Sequence, residues 1–255
     1  MFKNTAVKWD VSFNIAYNTN KIEKVAIGEG EPWFYKSLPS PGQLGDAYVF
    51  QEGGSIGDFY GFRCSRIDNE GNWVFLNKDG EEVGKDEITK EDKATIGNGM
   101  PKYNGGLTNR VSYKGFDLEV FFRGAFGYDI LNVGRMYYEN LTKVNEYNVY
   151  KSTFENGLKE ASVYSDYYLE DGSYIKLENI TLGYAFDVSK VDFLSSARLY
   201  LSCQNVFTFT NYSGLSPEVG RMTGDANDTK MEAGYDDLSF YPQTRLFTVG
   251  AIIKF

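Results

Sequence analysis

Between Val7 and Tyr17 the apolar side chains fall on every second position. Val7, Trp9, Val11, Phe13, Ile15 and Tyr17 alternate with Lys8, Asp10, Ser12, Asn14 and Ala16. Successive side chains of an extended chain point to opposite faces, so this stretch predicts a strand with one apolar and one polar side. The alternation returns in Leu107, Val111 and Tyr113 against Thr108, Arg110 and Ser112, and in Phe116, Leu118, Val120, Phe122 and Phe126 against Asp117, Glu119 and Arg123. Ile180, Leu182, Tyr184 and Phe186 alternate with Thr181, Gly183 and Ala185, and Ala197, Leu199, Leu201 and Cys203 with Arg198, Tyr200, Ser202 and Gln204. The sixth run is Phe247, Val249, Ala251, Ile253 and Phe255. Six strands of roughly 9 to 13 residues exceed the usual length in globular sheets and suit tilted strands that cross a bilayer.

Two faults interrupt the pattern. Ile175 and Leu177 are apolar at odd positions while the rest of their strand is apolar at even ones, which predicts a bulge near Glu178-Asn179. Asn205 falls on the apolar parity of its strand, which places it at headgroup level.

The connections alternate as strictly as the side chains. Residues 19–102, 128–172 and 211–243 are long, whereas Lys114-Gly115 and residues 188–196 are short turns. Structureless loops longer than about 12 to 15 residues are uncommon inside a domain. Transmembrane barrels, however, keep short turns on the periplasmic side and long loops outside. Within the first long segment, YGFRCSRI and NWVFLNKDG flank Asp68-Asn69-Glu70-Gly71 and predict a hairpin projecting from the barrel.

Composition narrows the chemistry. The 255 residues contain no histidine, which removes Ser-His-Asp and Cys-His catalysis and any His-ligated metal or haem. Two cysteines, Cys64 and Cys203, build neither a disulfide framework nor a four-thiolate site. A formal charge of −9 leaves no basic face for a nucleic acid. The first residues lack the charged-then-apolar pattern of a signal peptide. No run approaches the roughly 20 apolar residues of a membrane helix. The mean hydropathy of −0.40 fits a soluble protein and a β-barrel alike.

The segments YIKLENITLGYAFD (174–187), ARLYLSCQNVFTFTNYSGLSPEV (197–219) and YPQTRLFTVGAIIKF (241–255) resemble the carboxyl end of the SusC/RagA family of TonB-dependent outer-membrane transporters. WDVSFNIAYNTNKI (9–22), GSIGDFYGFR (54–63) and PKYNGGLTNRVSYKGFDLEVFFRGAFGYDI (101–130) resemble it in the same order. The resemblance implies an all-β fold, an antiparallel transmembrane β-barrel segment of about six long strands with long outer loops and short periplasmic turns. It implies that residues 1–255 are the carboxyl-terminal part of the barrel, with plug, TonB box and signal peptide absent. It also implies the outer membrane of a Gram-negative, Bacteroidetes-like cell, import of oligosaccharides or peptides with a SusD-like lipoprotein, and energy from TonB. Six strands leave two unpaired edges and too small a circumference for a wide barrel, so the piece is not expected to transport alone.

Phe247, Val249, Ala251, Ile253 and the terminal Phe255 resemble the signal read by the outer-membrane assembly machinery. Trp9, Tyr17, Tyr113, Phe116 and Phe186 suit the aromatic girdles of a lipid bilayer. Asp117 and Glu119, beside Arg110 and Arg123, are expected to face a wet lumen, so no catalytic residue, metal ligand or cofactor site is assigned. Asp225-Ala226-Asn227-Asp228 and Asp68-Asn69-Glu70-Gly71 lack the spacing of a calcium loop and read as solvated turns. Trp33, Tyr35, Tyr48, Tyr137, Tyr138, Tyr167, Tyr168, Tyr212 and Tyr235 in the long segments could stack on sugars or pack on a partner, and none stands out as a binding residue. Two rival readings are a secreted β-sandwich that binds glycans or adheres, and a soluble glycoside hydrolase.

Overall fold

A computed structural model of the chain describes residues 7–26, 30–38, 45–191, 193–219, 232–236, 241 and 243–255. The six alternating runs form one antiparallel sheet whose strand order follows the chain. We number these wall strands β1 (Val7–Tyr17), β2 (Tyr103–Tyr113), β3 (Phe116–Phe126), β4 (Tyr174–Phe186), β5 (Ser196–Thr210) and β6 (Leu246–Lys254). Each pairs only with its sequence neighbours, so β1 and β6 each keep one edge unpaired among the described residues. The barrel is therefore open in this chain.

Register carries the sequence pattern across the sheet. Val11 lies opposite Asn109, Asn109 opposite Val120, and Val120 opposite Ile180, so the apolar positions of successive strands line up on one face. Leu182, Leu201 and Val249 continue the same face. Asn109 interrupts it, a polar residue at an apolar position that the alternation of its neighbours conceals.

Both faults in the pattern are bulges. The register of β4 shifts between Leu177 and Asn179, which leaves Glu178 without an opposite residue and turns odd parity into even. In β5, Asn205 and Val206 are interposed between the pairings of Gln204 and Phe207, and Asn205 has a φ of 52°. Its amide donates to the Thr244 carbonyl at 2.9 Å. The polar residue at that parity is explained by a backbone bulge in the left-handed region, which asparagine tolerates better than most residues.

The turn at Lys114-Gly115 has φ of 45° and 87°, both positive. That is the pair of dihedrals a two-residue hairpin needs to match strand twist, and glycine in the second place removes half of the strain. All three long segments leave from the opposite end of the sheet.

Those segments are not separate loops. The first forms a four-stranded sheet from Trp33–Ser37, Asp46–Phe50, Asp58–Gly61 and Ala94–Asn98, and a three-stranded one from Arg63–Ile67, Trp73–Leu76 and Glu82–Gly84. A third sheet joins Asp129–Asn132 and Leu169–Asp171 of the second segment to Tyr235–Asp236 of the third. One apolar core runs through all of them, with Tyr48, Phe59, Trp73 and Phe75 from the first, Met136, Leu158, Tyr164 and Tyr168 from the second and Tyr235 from the third. Two of its buried hydroxyls are spent internally: Tyr48 donates to the Ala233 carbonyl and Tyr164 to that of Ala47. The hairpin predicted around Asp68 exists outside the wall sheet, and its Trp73 and Phe75 are buried in this core.

Candidate functional site: the two faces of the wall

On the outward face, large apolar side chains remain bare even where strands flank them on both sides. Leu182 in β4 is 47% and Leu201 in β5 is 54% exposed, although each has a strand on either hand. Phe13, Ile15, Leu199, Phe247 and Val249 extend the same exposed field. Water-soluble proteins rarely leave so continuous an apolar surface uncovered. No second sheet covers this face among the described residues, whereas a sandwich would bury it.

Aromatic rings collect at the two ends of the field. Tyr113, Phe116, Tyr184 and Phe186 lie at the short-turn end, with Phe116 and Tyr184 centroids 4.5 Å apart. Tyr17, Tyr103, Phe126, Phe207 and Phe209 lie at the outer end, with Tyr17 and Tyr103 5.1 Å apart. Of the aromatics named from sequence, Tyr17, Tyr113, Phe116 and Phe186 stand in these bands, and Trp9 stands one outward position nearer the middle. From Val7 to Tyr17 the strand rises about 33 Å. At a tilt of roughly 40° that spans about 25 Å of height, the thickness of an outer-membrane apolar band.

The inward face is polar, and several of its charges are paired. Arg110 Nε donates to Glu119 at 2.7 Å. Arg198 reaches from β5 over β4 to Asp117 on β3, at 2.9 Å and 2.5 Å. It crosses at Gly183, where an added Cβ would lie 2.4 Å from the guanidinium, so the pair requires that glycine. Asn179, Thr181 and Ser202 form a hydroxyl and amide ladder beside it. Asp117 and Glu119 are thus each held by an arginine, which leaves the pair without the distinct environments of a glycosidase acid and nucleophile.

Near the outer mouth a denser cluster forms. Arg123 donates Nε to Glu178 at 2.6 Å and Nη1 to the Tyr174 hydroxyl at 2.6 Å, and Nη2 bonds Glu218. Lys176, almost fully buried, donates to Glu218 at 2.7 Å and to Gln243. The bulge at Glu178 is what brings that carboxylate to the inward face beside Arg123. Burial acts to raise the Glu218 carboxyl, but hydrogen bonds from Lys176 and Arg123 outweigh it and hold the group below the ordinary glutamate range. Arg123 was named from sequence; Lys176 and Glu218 were not, because strand register brings the first to Arg123 and the path of the segment after β5 brings the second.

Above the wall, an open cavity of about 730 Å³ lies between the second and third outer segments. Arg135 lines it, bonded to Glu139 at 2.8 Å and Glu170 at 3.1 Å, and Ser213 donates to Glu170 at 2.8 Å. Burial lowers the affinity of Arg135 for its proton, and the two glutamates more than restore it. Of the aromatics named as possible stacking platforms, Tyr48, Tyr168, Tyr212 and Tyr235 are buried and Trp33, Tyr35, Tyr137, Tyr138 and Tyr167 half-buried. The first four are core, which removes them as ligand platforms; Tyr150, 43% exposed at the cavity, was missed. Burial next to Asp166 pushes the Cys64 thiol up to about 12, so it stays protonated and inert. Asp68 accepts from the Glu70 and Asn72 amides, as a turn does, and Asp225-Ala226-Asn227-Asp228 lies outside the described residues.

Phe247, Val249, Ala251 and Ile253 point outward from β6, opposite Cys203, Leu201, Leu199 and Ala197, with Phe255 beyond them. No helix among the described residues is long and apolar enough to cross a membrane.

No family model matches the chain. It is 30% identical over 275 residues to TonB-dependent receptor P3 of Formosa agariphila, covering 99% of this chain and 27% of that protein. It is 27% identical over 259 residues to TonB-dependent receptor SusC of Bacteroides thetaiotaomicron, covering 97% of this chain and 24% of that one. Its fold matches a solved structure of the RagAB peptide transporter with a TM-score of 0.80 at 22% identity, covering 99% of this chain and 27% of the other. The chain therefore spans about a quarter of the length of the relatives it matches. Aligned almost end to end with these receptors and sharing their barrel wall, the chain belongs to the TonB-dependent receptors of the SusC/RagA type.

Proposed function

We propose that residues 1–255 form the carboxyl-terminal wall of an outer-membrane transporter that imports oligosaccharides or peptides with a SusD-like lipoprotein and draws energy through TonB. The observation that carries the reading is the two-faced sheet: an uncovered apolar field between two aromatic bands, and a polar reverse side on which several charges are paired. A solvent of low dielectric on one side and water on the other accounts for both. The relatives named as receptors, and the peptide transporter with the same fold, support transport as the activity.

Cysteine accessibility in the full-length gene product, in membranes and with Cys64 and Cys203 replaced by Ser, tests the sidedness. Leu201→Cys is expected to resist a charged, water-soluble maleimide and to react with a lipid-soluble one, whereas the adjacent Ser202→Cys reacts with the charged reagent. Equal reactivity of both positions toward the charged reagent would refute the membrane reading.

Within this proposal, Phe247, Val249, Ala251, Ile253 and Phe255 are the strand read by the assembly machinery. Deleting Phe255 from the full-length protein is expected to lower the folded outer-membrane fraction while total synthesis stays constant, measured by heat-modifiable mobility on gels. An unchanged folded fraction would count against the signal.

A further inference from the structure

The cluster at the outer mouth is asymmetric in how its charges are carried. Arg123, Lys176 and Glu178 project from β3 and β4, hydrogen-bonded strands of the wall, and hold fixed positions. Glu218 enters from the segment that follows β5, where residues 211–219 form no regular element. Two fixed cations and one fixed carboxylate leave a single positive charge, which Glu218 neutralises. It accepts from both cations and stands 3.4 Å from the Tyr174 hydroxyl. One carboxylate from outside the wall strands thus completes a cradle of donors that the wall itself supplies.

The same segment separates two spaces. Gly214 and Leu215 border both the cavity of about 730 Å³ and a smaller one of about 180 Å³ on the inward side. The smaller cavity touches Lys176 and Glu218 themselves, and Thr208, Thr210, Ser216 and Gln243 give it a hydroxyl and amide lining. An incoming group can therefore reach Lys176 beside Glu218, through surroundings that hydrogen-bond to polar chains. Removing Glu218 without replacement would leave a buried cation short of partners, at considerable cost. Exchange for another carboxylate carries no such cost, because charge and acceptor number are preserved.

We propose that Arg123 and Lys176 are a carboxylate-binding site for substrate, occupied here by Glu218 as an internal stand-in, and that a substrate carboxylate displaces Glu218 and loosens the 214–216 turn, between the anchored Ser213 and Pro217. The proposal rests on the reading of the polar face as a transport lumen, and it narrows the substrate class to carboxylate-bearing chains. A free peptide carboxyl terminus and a uronic acid residue both present the required group.

The test uses the purified full-length transporter and two probe pairs: an N-acetylated pentapeptide with a free or amidated carboxyl terminus, and trigalacturonic acid or its methyl ester. In Glu218→Gln, with the competing charge removed, at least one acid probe is expected to bind roughly tenfold tighter than its neutral partner, the scale of a charge-assisted hydrogen bond. In the native protein, where Glu218 competes, the ratio is smaller but stays above one, and in Lys176→Gln it is lost. The pair that discriminates identifies peptide or uronate. Ser216→Cys, on a half-buried residue of the turn, gives a second readout with the charged cluster intact: the preferred acid probe raises its labelling rate and the neutral probe does not. Neither acid probe outbinding its partner in Glu218→Gln, or labelling of Ser216→Cys indifferent to acid, overturns the proposal. Thr208→Cys separates the two layers of argument. If it reacts with a water-soluble maleimide while discrimination is absent, only the carboxylate site fails. If it does not react, the lumen reading itself fails.

Discussion

Val120→Arg in the full-length protein is expected to destabilise the folded barrel by about 2–4 kcal/mol, the cost of a basic side chain on the lipid face at mid-depth. Val120 stands between Asn109 and Ile180 on the outward face, close to the middle of β3 and distant from both aromatic bands. At the strand ends an arginine can extend to the headgroups; at mid-height it has little such escape. The matched control is Thr248→Arg on β6, which faces inward opposite Ser202, where water solvates the charge. That substitution is expected to change stability by less than about 1 kcal/mol. Denaturant titration of both variants in detergent micelles or bilayers, followed by gel mobility of the folded form, measures the difference. Equal tolerance of arginine at the two positions would mean that the outward face meets water or protein rather than acyl chains.

The contrast between those two positions was legible in the sequence because two solvents impose a period of two on every strand. The bulge at Glu178 was legible for the same reason: the apolar parity changes between Leu177 and Ile180, and only an extra residue can change it. Asn205 was harder. A polar residue on an apolar parity looks like an interfacial side chain, and nothing in the letters distinguishes that from a left-handed backbone whose amide is tied to Thr244. Asn109 was missed outright, since Leu107 and Val111 on either side keep the rhythm. The cluster around Arg123 was half legible. Its arginine was visible as an inward residue, but Lys176 joins it through strand register and Glu218 through the path of a long segment. The outer region was the least legible part. Its strands are two to five residues long, too short to show a period, and its core is assembled from three segments far apart in sequence. The aromatic residues that looked like ligand platforms were mostly the material of that core.

This division into wall and outer core leads to a second large effect, with the opposite location. Trp73→Ala is expected to cost the outer region about 3–5 kcal/mol, the usual loss for a large aromatic removed from a packed interior. Trp73 is 1% exposed, packs its ring on Phe75, Tyr167 and Tyr168, and donates its indole N–H to the Ala161 carbonyl at 2.9 Å. It ties the first outer segment to the second, and the Trp73 backbone amide donates to Glu160 at 2.7 Å across the same seam. Truncation opens a cavity and leaves the Ala161 carbonyl without its donor, two losses at one place. Among the described residues the core cluster around Trp73 includes no residue of the wall strands, so their pairing is expected to survive. Limited proteolysis of the inserted full-length variant should then cut within residues 63–76 and 156–168 at protease levels that leave the native protein whole, while the heat-modifiable mobility of the barrel is unchanged. Loss of barrel mobility together with the outer cuts would show that wall and outer core fold as one unit; resistance to the protease would show that Trp73 does not hold the segments together.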